Sequence, residues 1–240
     1  MSNHLSNQQL IDIHINTLYL CDADGRLRFV REPGEPYAPG RFAMVRTSTG
    51  NSWRFRHDLP APLVGQLDAL CRAEPLPADL RPEPLAAARI RAALAEHAPV
   101  DDEYRGPAYW IPASDAAPPA EAVLIDRRDA AVLEAHFPWR ARLLREVDDP
   151  GPIAAVVVDG TAVAVCSCAR LSPAAAEAGV DTHESARRQG FASAVVARWA
   201  AAVRARGLLP MYSTSWDNLA SQSVARRLGM VLYGEDWSLT

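Results

Sequence analysis

From Asp181 to Val203 the sequence reads DTHESARRQGFASAVVARWAAAV, a run of residue types suited to holding an anion. A strand ending at Val180, Asp181 and Thr182 passes into a helix through a short loop that sets Arg187, Gly190 and Ala192 at fixed spacing. The first turn of a helix has amides without partners and carries partial positive charge, so a loop that aims those amides outward binds anions. Gly190 lets the backbone come close to a ligand, and Ala192 keeps the first helical turn slim. Arg187 or Arg188 can add charge-assisted bonds to phosphate oxygens. These residues point to a phosphate-bearing ligand without saying which.

No Gly-Lys-Ser/Thr follows the loop and no G-x-G-x-x-G is present, so neither of the common nucleotide motifs applies. Arg187-Arg188-Gln189-Gly190-Phe191-Ala192 resembles instead the acyl-CoA pyrophosphate loop of the GNAT superfamily of N-acetyltransferases, usually written Gln/Arg-x-x-Gly-x-Gly/Ala. Further on, Asn218-Leu219-Ala220-Ser221 and Ala225-Arg226-Arg227-Leu228-Gly229-Met230 resemble the next helix of that superfamily. The resemblance covers about residues 120 to 240. The stretch YSTSWDNLASQSVARRLGM from Tyr212 is also similar to a bacterial GNAT subgroup with an extra N-terminal region.

The resemblance implies a role for each matching residue. Val180, Asp181 and Thr182 should offer backbone groups to the pantetheine arm of acetyl-CoA. Arg187, Arg188, Gln189, Gly190, Phe191, Ala192 and Ser193 should hold the pyrophosphate. Asn218 and Ser221 should line the far side of the pantetheine channel, and a splayed sheet would let the thioester reach its centre. Acyl transfer to an amine needs a base for the ammonium proton and a donor for the oxyanion. Glu177 is the candidate base, with Asp181 and Glu184 behind it, and a backbone N–H near Val180 is the candidate donor. Many family members place a Tyr four residues before the Gly that ends the last helix, to protonate the departing thiolate. Ala225 stands there in this chain, so Tyr212, Tyr233 or water must substitute.

Cys166 and Cys168 form a C-x-C pair that on a strand would face one side, with no His or Cys at metal-ligand spacing, so no metal is expected. The scattered Cys21 and Cys71 add no disulfide framework. His57 beside Asp58 reads as surface at a strand end, because strand neighbours face opposite sides. Trp199, Trp216 and Trp237 read as core or groove residues.

A chain of 240 residues has material for two modest domains or one elaborated one. Apolar residues at 49% and charged ones at 22% are ordinary for a globular protein, and a net charge of −4 gives no basic face for nucleic acid. No run approaches the ~20 apolar residues of a membrane span, and the polar start lacks the pattern of a signal peptide, so a cytoplasmic protein is expected.

The Pro- and Ala-rich stretch Ile111 to Ala120 reads as a linker, dividing an α+β N-terminal domain of unknown role, residues 1–115, from a GNAT-like acyl-CoA-binding domain, residues 116–240. Upstream, a helix is expected over about Leu5 to Asn16 and strands at Thr17 to Cys21, Arg26 to Val30, Phe42 to Thr47 and Ser52 to Arg56. Helices should follow from Pro60 or Pro62 and from Pro84 to Glu96, then a closing strand at Tyr109 to Ile111. Downstream, a strand at Ala122 to Ile125 precedes a helical region from Arg128 to Val147 broken at Pro138. Asp159-Gly160 should join an antiparallel hairpin of Ile153 to Val158 and Thr161 to Ala169. Then come Glu177 to Thr182, a helix from Phe191 to Arg206, Pro210 to Ser215, a helix from Asn218 to Leu228, and a last strand from Met230 to Tyr233. The fold class is therefore α/β (α+β), a mixed sheet flanked by helices.

These residues imply an N-acetyltransferase moving an acetyl or other short acyl group from acetyl-CoA to a primary amine of a small molecule or protein, with the N-terminal region shaping the acceptor groove or mediating a homodimer. A CoA-binding regulatory module without turnover, motivated by Ala225, and a nucleotide-binding protein using the same loop remain alternatives.

Overall fold

The computed structural model describes residues 5–114 and 117–240. Its centre is a nine-stranded mixed sheet. In chain order the helices are α1 (Asn7–Leu18), α2 (Ala61–Ala73), α3 (Ala87–His97), α4 (Pro138–Glu146), α5 (Phe191–Ala205) and α6 (Leu219–Arg227). The strands are β1 (Tyr19–Cys21), β2 (Leu27–Val30), β3 (Phe42–Arg46), β4 (Asn51–Phe55), β5 (Glu103–Trp110), β6 (Ala122–Leu124), β7 (Ala154–Val158), β8 (Thr161–Leu171), β9 (Ala175–Thr182), β10 (Leu209–Ser213) and β11 (Val231–Leu239). The large sheet runs β4-β3-β11-β5-β10-β9-β8-β7-β6, while β1 and β2 form a separate hairpin.

Local chemistry explains many element ends. Ser6 caps α1 in a reciprocal box, its hydroxyl accepting from the Gln9 amide at 3.2 Å while the Gln9 side chain accepts from the Ser6 amide at 2.8 Å. Asp159 and Gly160, at φ 50° and 76°, make the left-handed two-residue turn that right-twisted strands β7 and β8 require. Pro138 opens α4 at the helical position where its missing N–H costs nothing, and a 3₁₀ turn at Arg127–Leu133 precedes it, which accounts for the expected break.

Two strands are longer than their local sequence announced. β5 covers Glu103–Trp110 rather than only Tyr109 to Ile111, and β11 runs on through Trp237 to Leu239 rather than stopping at Tyr233. Gly106 and Pro107 hide β5, since both are poor strand formers in isolation. Gly106 is needed where it sits, because a Cβ there would lie 1.8 Å from the Thr214 carbonyl oxygen. Gly234 and a register irregularity between Leu232 and Gly234 hide the continuation of β11. The expected boundary between residues 115 and 116 falls outside the described residues. Strands from both sides of it join one sheet, with β5 paired to β11 on one edge and β10 on the other.

Helices cover both faces. α5 packs on β8, β9 and β10 around the fully buried Trp199, while α2 and α3 pack near the far end of the sheet around Phe42 and Trp237. On the opposite face, α4 and its preceding turn cover Ala155 and Val165. α1 crosses that same face, with Ile11 and Ile15 on Ala43 and Val45 and Leu10 on Ala175, Met211 and Tyr233.

Candidate active site

β9 and β10 are parallel neighbours for only three residue pairs, ending at Glu177 with Met211. Beyond that pair β9 continues along β8 alone, from Ala178 to Thr182, while β10 turns to β5 through Met211, Tyr212 and Ser213. The strands therefore fork, and the β9 edge facing the gap has no strand partner over the segment containing Val180, Asp181 and Thr182. A polar backbone edge left open in this way can accept a ligand chain as a substitute strand.

The gap leads to the loop after β9. Arg188 at φ 63° and Gly190 at φ 86° bend the chain into the start of α5. Gly190 is the N-cap residue and no side chain caps the helix. The Ala194 amide bonds the Gly190 carbonyl at 3.2 Å, which leaves the amides of Arg188, Gln189, Gly190, Phe191, Ala192 and Ser193 without a protein acceptor among the described residues. Arg187, Arg188 and Gln189 are exposed around them. Arg227 of α6 adds a cation, its guanidinium 3.1 Å from where a Gly190 Cβ would stand. A free amide cluster ringed by guanidinium groups, with left-handed backbone at its centre, fits a diphosphate.

Asn218 and Ser221 are placed at the start of α6 and both have partners. The Asn218 side chain caps the helix by accepting from the Ser221 amide at 3.0 Å. The Ser221 hydroxyl is hydrogen-bonded to the phenol of Tyr212. Ser221 and Ala225 are one turn apart on α6, so the strand residue Tyr212 delivers its hydroxyl to the helix face on which Ala225 lies. Burial pushes the Tyr212 phenol up to about 12, and the Ser221 bond pulls against that shift.

Glu177 lies at the fork on the other face. It is 4% exposed, and burial raises its carboxyl above the usual range, with the nearby His14 as the largest opposing influence. Its Oε1 atom has no hydrogen bond. Tyr233 is on this face too, its hydroxyl bonded to His14 Nδ1 rather than directed to the gap. Asp181 pairs with Arg140 at 3.0 Å and Glu184 begins a 3₁₀ turn, so neither adjoins Glu177.

Beside the loop, on the Asp181 side, is a cleft of about 440 Å³ lined by His136, Trp139, Arg140, Asp181, His183 and Arg187. His136 and His183 stack there at 3.7 Å. Sequence spacing gave no hint of these α4 neighbours, nor of His14, because they reach the site from other elements. Trp199 and Trp237 are core, and Trp216 donates to Glu235 at 2.6 Å. Cys166 and Cys168 are buried thiols facing α5, and Asp58 pairs with Arg56 at 2.7 Å. Among the described residues no His, Cys, Asp and Glu group of three or more could hold a metal, and no helix is long and apolar enough to cross a membrane.

The family model described as GNAT acetyltransferase matches residues 151–235, which include the fork, the loop and α6. Residues 151–235 are a GNAT acetyltransferase domain. Among solved structures, a GCN5-related N-acetyltransferase-like protein from Streptococcus suis is similar at 19% identity and TM-score 0.47, covering 83% of this chain and 84% of its own. A GCN5-related N-acetyltransferase from Sphaerobacter thermophilus is similar at 16% identity and TM-score 0.46, covering 89% and 81%. A GNAT-family protein from Novosphingobium aromaticivorans matches at 20% identity and TM-score 0.43 over 58% of this chain. That match spans less than two thirds, 65%, of the Novosphingobium chain. No curated protein matches the chain.

Proposed function

We propose that the protein transfers an acetyl or other short acyl group from its CoA thioester to a primary amine. The observation that carries this is the fork beyond Glu177 and Met211, continuous with the free amides of residues 188–193. The open edge of β9 is suited to the pantetheine arm and the amide cluster to the diphosphate, which would leave the thioester at the fork.

Two groups flank that point from opposite faces. Glu177, as the carboxylate, takes the proton of the acceptor ammonium, and the freed nitrogen lone pair attacks the thioester carbon. A backbone N–H of β9 near Val180 donates to the oxygen that gains charge. As the carbon–sulfur bond breaks, the nitrogen releases its second proton to solvent and the Tyr212 phenol gives its proton to the sulfur; Tyr212 then recovers a proton from solvent and Glu177 gives up the one it took. A raised phenol pKa keeps Tyr212 protonated until it is needed. Tyr212 suits this role better than Tyr233, whose hydroxyl is held by His14 on the base's face.

Thiol release measured over a panel of amines, beside acetyl-CoA binding by calorimetry, tests the reading. Glu177→Gln should lower turnover by about 10²- to 10⁴-fold with acetyl-CoA affinity unchanged. Binding without turnover on any amine would favour a regulatory CoA module instead, and tighter binding of ATP or NAD than of CoA would favour a nucleotide protein.

A further inference from the structure

The helix that covers Glu177 is not uniformly apolar on its inner side. Leu10, Ile11, Ile15 and Leu18 of α1 are buried as a core helix demands, and His14 lies buried among them at 1% exposure. An imidazole in that position costs desolvation that a leucine would not. Its surroundings show what offsets the cost. His14 Nδ1 is hydrogen-bonded to the Tyr233 hydroxyl, and Nε2 lies 3.8 Å from Asp236 Oδ2, a charge-pair distance rather than a hydrogen bond.

The groups facing His14 come from several strands. β11 supplies Tyr233 and Asp236 and β9 supplies Glu177, with Tyr104 of β5, Tyr19 of β1 and Arg170 of β8 at the edge of the cluster. Burial holds all three tyrosines neutral. Arg170 is drawn aside by Glu32 at 3.2 Å and the Tyr37 hydroxyl at 2.7 Å. His14 is thus the cation-forming group of the cluster, 3.8 Å from Asp236 and close enough to Glu177 of β9 to feel its charge. Burial disfavours its charged form, yet the proximity of Asp236 and then the charge of Glu177 outweigh that penalty and raise its pKa. Three atoms of the cluster, His14 Nε2, Glu177 Oε1 and Asp236 Oδ1, are buried with no hydrogen bond. Buried polar atoms are normally partnered, so these three mark a place where charge rather than packing set the residue choice.

We infer that His14 is a positioning residue for the transfer reaction: as an imidazolium held by Asp236 and the Tyr233 hydroxyl in the buried cluster it keeps Glu177 as the carboxylate that receives the acceptor's proton. Two carboxyl groups in one low-dielectric site do not both ionise without a cation. His14 supplies that cation from the N-terminal helix, outside residues 151–235. The active site begun by the GNAT domain is then completed by α1, which gives the N-terminal region a part in catalysis. This rests on Glu177 being the base.

The test compares wild type with His14→Gln, which keeps a polar side chain but cannot carry the charge. The pH profile of kcat/KM is recorded together with the titration of Glu177 itself, followed by carboxyl NMR on glutamate-labelled protein and assigned with Glu177→Gln. In His14→Gln the rising limb and the Glu177 titration should both move to higher pH by about one unit, with turnover on that limb falling about tenfold and the high-pH plateau retained. The KM for acetyl-CoA should not change. Tyr233→Phe, which keeps the imidazole but removes the acceptor of its Nδ1 proton, should move both in the same direction by less, and it serves if His14→Gln does not fold. An unmoved Glu177 titration in a folded variant overturns the inference, as does a loss of turnover equal at every pH. Should Glu177→Gln remain active while the titration still moves, the base assignment falls and the coupling of His14 to Glu177 stands.

Discussion

Glu177 and Tyr212 stand on opposite faces of the sheet at one fork: Glu177 pairs with Met211, and Tyr212 is the next residue of β10, facing α5 and α6. Alternation along a strand forces this division. A group passing through the gap would meet a carboxyl from one side and a phenol from the other.

Tyr212→Phe removes the phenolic proton and the bond to Ser221 without emptying the core. Turnover should fall at least tenfold with KM for acetyl-CoA little changed, and stability should drop by about 1 kcal/mol. Steady-state kinetics beside a denaturation curve read both effects. Full activity in the variant would return the thiolate's proton to water.

Glu177 should also leave a mark on stability. Its folded pKa is raised above the ordinary 4.5, so the folded state holds the proton more tightly than the unfolded chain. The stability this contributes is full below about 4.5 and is lost as pH rises through the folded pKa. Glu177→Gln removes that dependence, so at neutral pH the variant should melt above wild type and at low pH the two should converge. A melting temperature that does not rise at neutral pH would argue against the raised carboxyl.

Gly190 combines φ 86° with a close approach by Arg227. Gly190→Val should cost about 1–2 kcal/mol for placing a side chain in left-handed backbone. It should also weaken CoA by tenfold or more while circular dichroism shows a folded protein. Calorimetry that returns normal CoA affinity would contradict the placement of the diphosphate.

Glu235, fully buried, ties the two halves of the chain together. Its Oε2 accepts from Arg46 Nε of β3 at 2.8 Å, and its Oε1 accepts from Arg105 of β5 at 2.5 Å and from Trp216 at 2.6 Å. Glu235→Ala leaves Arg46 buried without its main counter-charge and should cost about 3–5 kcal/mol. Because β5 also separates β11 from β10, a fragment starting at Ala117 should not fold alone, and the full chain should unfold in one transition. Two well-resolved calorimetric transitions would show independent halves.

Some of this was legible residue by residue. The Asp159-Gly160 hairpin, the α5 stripe around Trp199 and the loop from Arg187 to Ala192 are set by turn chemistry, helical period and helix-end electrostatics, all of which act within a few residues. The spacing from that loop back to Glu177 and on to Asn218 and Ser221 is likewise linear information. β5 was read short because Gly106 and Pro107 disguise a strand whose partners lie far along the chain.

By itself, then, the sequence determined the strand-to-helix junction at Arg187 to Ala192, the hairpin and the helix ends, because each depends on neighbours in the chain. Only the tertiary structure decided that β5 joins both halves into one sheet, that Tyr212 meets Ser221 beside Ala225, and that α1 brings His14 to Tyr233 and Asp236. Those relations arise from strand order and from which face each element covers. Burial and charge then act between residues that no local period connects.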